Sequence, residues 1–110
     1  MVKAMTLKVS QEFTETPGER LRSNGKFSGQ EFREDFLEPR FKKARLAAVD
    51  LIVDLDDSQG YASSFLEEAF GGLARKYGAD KVLAAMRIKS VDEPRLAGDV
   101  LRYINDTRCI

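Results

Sequence analysis

A chain of 110 residues with 18 Lys and Arg against 18 Asp and Glu suits one domain with a real core, and its zero net charge gives no field to draw nucleic acid or an anionic membrane surface. The absence of histidine excludes Ser-His-Asp and Cys-His catalysis, histidine metal sites and phosphohistidine relays. The lone cysteine, Cys109, cannot close an internal disulfide and reads as an incidental terminal thiol; with no apolar leader and no run of membrane-spanning length, a cytoplasmic protein without metal or cofactor is expected.

Thr6 to Phe13 alternates well enough to be a strand, with Leu7 and Val9 on one face. Thr14 to Gly18 contains a Pro-Gly pair and must turn, after which Arg20 to Ser23 returns as a short second strand ahead of the Asn24-Gly25 turn. Ser28 opens a capping box with Glu31, and the helix behind it buries Phe32, Phe36 and Leu37 until Pro39 breaks or kinks it. The basic segment Arg40 to Arg45 reads as a solvated helix face, with Phe41 and Leu46 as its apolar members.

Val49 to Leu55 is a buried strand, and Asp56 to Ala62 is a tight loop in which Gly60 can take a backbone conformation closed to other residues. Ser64 reads as the N-cap of the next helix, in a capping box with Glu67. Leu66, Ala69, Phe70, Leu73 and Tyr77 form its buried stripe, and Gly78 stops it. Gly71 and Gly72 are costly inside a helix, which points to a close approach by another backbone, the sheet beneath in preference to a partner. Ala79 to Leu83 is a helical turn and Ala85 to Ser90 a strand. Ser90 to Pro94 then starts a closing helix with Leu96, Val100, Tyr103 and Ile104 on one side. This order predicts a mixed sheet with helices packed on it.

The loop before the helix of Leu66 gathers Asp54, Asp56, Asp57, Ser58, Ser63 and Ser64 at the strand ends, the edge where open α/β sheets bind ligands. Free amides at a helix N-terminus suit a phosphate on Ser63 or Ser64; the alternative is that Ser64 only caps its helix. Glu67 and Glu68 favour the helix dipole, yet would repel such a phosphate. Locally, LIVDLDDS also resembles the first motif of haloacid dehalogenase-like phosphatases, which implies Asp54 as nucleophile and Asp56 as acid/base with magnesium; that family's other motifs are not identifiable here.

Three stretches together, GKFSGQEFRE, VDLDDSQGYASSFLEEAFGGLAR and the terminal strand-helix, resemble the STAS-like domains of unknown function, bacterial relatives of the sulfate-transporter and anti-sigma-factor-antagonist domains. The resemblance implies a single domain over 1–110, with a four- or five-stranded mixed sheet flanked by about three helices. It implies interaction with a protein rather than catalysis, the partner being a kinase-like ATPase or another regulator, with room for a homo-oligomer and no role for nucleic acid or membrane. Ser63 and Ser64 match the paired serines of the anti-sigma-factor antagonists, making Ser64 the candidate phosphosite, although Ala62 stands where that motif has aspartate and Phe65 where it has glycine. The expected surface comprises Asp56, Asp57, Ser58, Tyr61, Ser63, Ser64, Glu67 and Glu68. The rival expectation is a small-ligand sensor that holds a nucleotide or phosphate at the same loop.

Overall fold

The computed structural model describes residues 4–108, so Cys109 lies outside the described residues. The chain runs β1 (Ala4–Lys8), the single-turn α1 (Val9–Glu12), α2 (29–47), β2 (Asp50–Asp54), α3 (63–77), α4 (Ala79–Ala85), β3 (Met86–Lys89) and α5 (Arg95–Asp106). The strands form one sheet in the order β1-β2-β3, with both pairings parallel. Met5, Leu51 and Met86 share one row across the sheet, and Leu7, Val53 and Ile88 share another. Because side chains alternate across a pleated strand, these rows lie on the face that enters the core. The intervening row, Thr6, Ile52 and Arg87, is left half-exposed or exposed on the other face.

Two expectations about the first third of the chain are corrected. The strand ends at Lys8, where Val9 turns into α1. Arg20 to Ser23 is no strand: Arg22–Asn24 is a 3-10 turn, and the Glu19 and Arg20 carbonyls accept the Gly29 and Gln30 amides at 2.8 and 2.9 Å. Those amides are the orphan donors of the first turn of α2, and a segment committed to them has no ladder to offer a sheet. The described sheet therefore has three strands and no antiparallel member, in place of a mixed sheet of four or five.

Ser28 caps α2 as its spacing predicts, its Oγ accepting the Glu31 amide at 3.0 Å. Pro39 does not end the helix. Arg33–Leu37 widens into a π turn in which the Glu38 amide donates to the Arg33 carbonyl, and the helix continues as Glu38–Ala47. The wider turn takes up the proline, which has no amide to donate. Phe41 and Ala44 are buried and Lys42, Lys43 and Arg45 exposed, as a solvated face requires, but Leu46 points outward at 89% exposure.

α3 buries Leu66, Ala69, Phe70 and Leu73 as the stripe predicts, and Phe65 and Ala74 in addition. It also contains a π turn, Glu67–Gly71. Phe32 of α2 stacks on Phe65 at 5.9 Å and meets Phe70 at 6.4 Å, so the two helices join through a shared aromatic core. Between α2 and α3 the glycine that permits close backbone approach is Gly29: a Cβ there would stand 2.6 Å from the Phe65 carbonyl oxygen. At Gly72 the expected sheet contact is replaced by a side chain, because a Cβ would stand 2.8 Å from Arg33 Nε. At Gly71 the neighbour is Glu67 of the same helix.

Candidate functional site

The register brings Lys8, Asp54 and Lys89 side by side at the C-terminal ends of the three parallel strands. Lys8 Nζ lies 3.5 Å from Asp54 Oδ2 and 2.7 Å from Asp57 Oδ2, and Lys89 Nζ lies 3.6 Å from Asp54 Oδ2. The other Asp54 oxygen accepts the Asp56 amide at 2.9 Å. Burial pushes the Asp54 carboxyl up, but the Asp56 amide and the two lysines outweigh it and hold its pKa below the usual carboxylate range. Lys8 is correspondingly shifted up, first by its bond to Asp57.

The acids of the loop hold the loop itself. Asp56 Oδ1 accepts the amides of Val91 at 2.8 Å and Asp92 at 2.9 Å, tying the loop to the β3–α5 connection. The Asp57 amide donates to Asp92 Oδ2 at 3.0 Å, and Asp57 sits at φ 67, a left-handed conformation that aspartate tolerates better than most residues. Gly60, at φ 140, uses the freedom expected of it. Tyr61 donates its hydroxyl to the Leu55 carbonyl at 3.1 Å and pairs with Ser58 Oγ at 2.9 Å; burial pushes its pKa up to about 12. The crevice beside Ser58, Tyr61, Asp92 and Glu93 encloses only about 20 Å³, room for a water molecule and far from the hundreds of Å³ of ordinary ligand sites. A nucleotide held in the loop therefore has no preformed cavity to enter there.

Ser64 is not the N-cap. α3 begins at Ser63, the N-cap is Ala62, and no side chain caps this end. Ser63 is exposed and Ser64 half-buried, both in the first turn. With Ala62 at the N-cap, Glu67 has no capping box to complete, and arginines hold its carboxylate instead: Arg75 Nη1 lies 2.6 Å from Oε2, and Arg20 pairs with Oε1. The Arg75 bond, with Arg20 beside it, keeps the Glu67 pKa low against a smaller push from burial. Glu68 pairs with Arg33 at 2.9 Å, and Arg33 also reaches the buried Glu38 at 3.2 Å. Arg20 is held by Glu67 in turn, which shifts its pKa up.

The eight expected surface residues thus divide into three groups. Asp56, Asp57, Ser58 and Tyr61 build the loop, Ser63 and Ser64 stand at an uncapped helix start, and Glu67 and Glu68 join the seam between α2 and α3. Sequence reasoning missed Lys8, Lys89 and Asp92, which complete the strand-end cluster. Their available signal was position, since each basic residue is the last of its strand. For the Asp54/Asp56 phosphatase reading, the geometry shows both carboxylates engaged by donors of this chain, and no group of three or more Cys, Asp or Glu suited to a metal ion occurs among the described residues.

Such a domain, a small parallel sheet with helices on one face and a polar loop at the carboxyl ends of its strands, is of the mixed α/β class. Residues 28–96, from the cap of α2 into the start of α5, match the family described as STAS-like domain of unknown function, and the chain belongs to that family. No curated protein and no solved structure matches the chain. No helix among the described residues is long and apolar enough to cross a membrane.

Proposed function

We propose that the protein is a regulatory interaction module that binds another protein through the 58–64 loop and the start of α3, with Ser64 as a site where phosphorylation sets the affinity. The observation that carries this reading is the uncapped N-terminus of α3, with Ser63 exposed and Ser64 half-buried in its first turn. A serine that caps a helix has its oxygen committed to the backbone, whereas these two are free of that task. Amides without partners and the positive end of the helix dipole favour an anion at this point. The repulsion expected from Glu67 and Glu68 is offset, because Arg20, Arg33 and Arg75 already pair with them. The partner class suggested by the family resemblance is a kinase-like ATPase or a regulator that recognises the unmodified surface.

Affinity capture from the host cell, comparing wild type with Ser64→Glu, tests the interface. A partner retained by wild type and lost by Ser64→Glu supports the proposal; equal recovery moves the interface elsewhere. Since Ser64 is not a cap, the substitution disturbs binding without removing a helix-terminal hydrogen bond. Phosphate-affinity gels of protein taken through growth test the switch, and a single unmodified form throughout would remove it.

A further inference from the structure

On the opposite side of β3 from the strand-end cluster's partner β2, a separate cavity of about 260 Å³ lies between α4, β3 and α5. Val82, Leu83, Met86, Ile88, Leu101 and Ile104 supply most of its apolar wall. β3 is an edge strand of the described sheet, and Leu101 on α5 is 46% exposed while Leu96, Val100 and Ile104 of the same helix are buried. One charged side chain lines the cavity, Arg87. Its Nη1 donates to the Leu83 carbonyl at 3.0 Å and to the Met86 carbonyl at 2.9 Å, which pins the guanidinium at the wall. No carboxylate pairs with it among the described residues, a state it shares with Arg45, which lies over the Phe41 ring, whereas Arg20, Arg22, Arg33, Arg40, Arg75, Arg95, Arg102 and Arg108 all have acidic partners.

We propose that this cavity binds a small carboxylic acid with an apolar tail, its carboxylate on Arg87 and its tail against Leu83, Met86, Ile88 and Leu101. A guanidinium held by two carbonyls on one nitrogen keeps its remaining donors in a fixed plane, the geometry that suits a carboxylate. The apolar wall then rewards a tail and penalises an ion that has none. The volume lies just below the roughly 300 Å³ at which drug-sized ligand sites begin, which suits a tail of a few carbons. A second copy pairing along β3 is disfavoured, because Arg87 and Lys89 on this short edge would meet their own like charges. The site is separate from the start of α3 and stands or falls independently of the interaction surface proposed there.

The test titrates the full chain with octanoate, octanol and octylamine while following the methyl NMR signals of Leu83, Met86, Ile88 and Leu101. Octanoate should shift these signals, octanol should bind about tenfold more weakly, and octylamine should not bind, as the loss of one charge-assisted pair implies. Arg87→Gln should weaken octanoate about tenfold and leave octanol unchanged, with the melting temperature held. Ala97→Trp, which fills the cavity, should abolish both while the chain stays folded. Shifts absent with octanoate, or equal affinity for octanoate and octanol, would overturn the proposal. So would sedimentation showing a dimer that Leu101→Glu dissociates, because the groove would then be covered by a second copy.

Discussion

The body and the start of α3 are built on opposite plans. In the body, Phe65, Phe70 and Leu73 are fully buried, Gly72 leaves room for Arg33, and Glu67 and Glu68 are each held by arginines from outside their own turn. At the start, Ala62 and Ser63 are exposed, nothing caps the helix, and the polar groups of the preceding loop bond to one another and to the β3–α5 connection. Packing over-determines the one and leaves the other available. A helix needs tertiary burial more than terminal hydrogen bonds, so a well-anchored body can carry a start that another molecule reads.

Substitutions should separate the two plans by size of effect. The largest loss is expected from Phe32→Ala, which empties the centre of the aromatic core shared with Phe65 and Phe70 and should cost about 3–5 kcal/mol in chemical denaturation. Glu38→Ala comes next. It strips the buried partner from Arg33 and Lys76, and about 2 kcal/mol is expected, below the loss for a fully enclosed pair because Lys76 is more than half exposed. Replacing both Arg33 and Glu38 by Met should recover much of that loss, since neither member of that pair is then left alone and Glu68, which also loses Arg33, keeps Arg20 at 3.5 Å. A double variant no more stable than Glu38→Ala would show that the seam acts through packing and not through charge.

Much of the body was legible in the sequence, and the start was not, for one physical reason. The stripe of Leu66, Ala69, Phe70 and Leu73 is a local spacing, as is the buried run of β2, and both lie where the pattern puts them. The capping box at Ser28 is equally local and forms its serine bond. The same letters at Ser64 and Glu67 do not make a box, because the helix starts earlier, with Ala62 at the N-cap, and Arg20 and Arg75 hold the Glu67 carboxylate. Arg20 belongs to another segment, and no local window contains it. The absent second strand has a similar cause, for the carbonyls of Glu19 and Arg20 serve α2. At the candidate site, the acids were visible as a cluster, while Lys8 and Lys89 joined it only through the register of three separated strands.

Acid should act on the strand-end cluster. Asp54 has a folded pKa held below its ordinary 3.8, so its ion pairs stabilise the fold above that value and the contribution is lost as pH falls through the folded pKa. The unfolding free energy should therefore decline on acidification below about pH 4, and Asp54→Asn should make that decline shallower while lowering stability at neutral pH. Glu67, depressed by Arg75 and Arg20, adds to the same slope from the seam, and its partial exposure makes its share the smaller. An identical acid profile in wild type and Asp54→Asn would mean that the cluster orders the loop without contributing to the stability of the whole domain.

The finest comparison sets two serines against each other. Ser28→Ala should cost about 1 kcal/mol, because the Oγ that accepts the Glu31 amide is lost from a buried cap. Ser64→Ala should stay within about 0.5 kcal/mol, the range of a surface change that removes no cap. Both measurements belong in the same denaturation series, so that the difference between the two is read directly. A loss at Ser64 as large as at Ser28 would mean that the hydroxyl holds the helix in solution, and the case for a free, readable start to α3 would go with it. A silent Ser64→Ala leaves that hydroxyl with no structural task at a helix end that favours negative charge, which is the condition a phosphate switch requires.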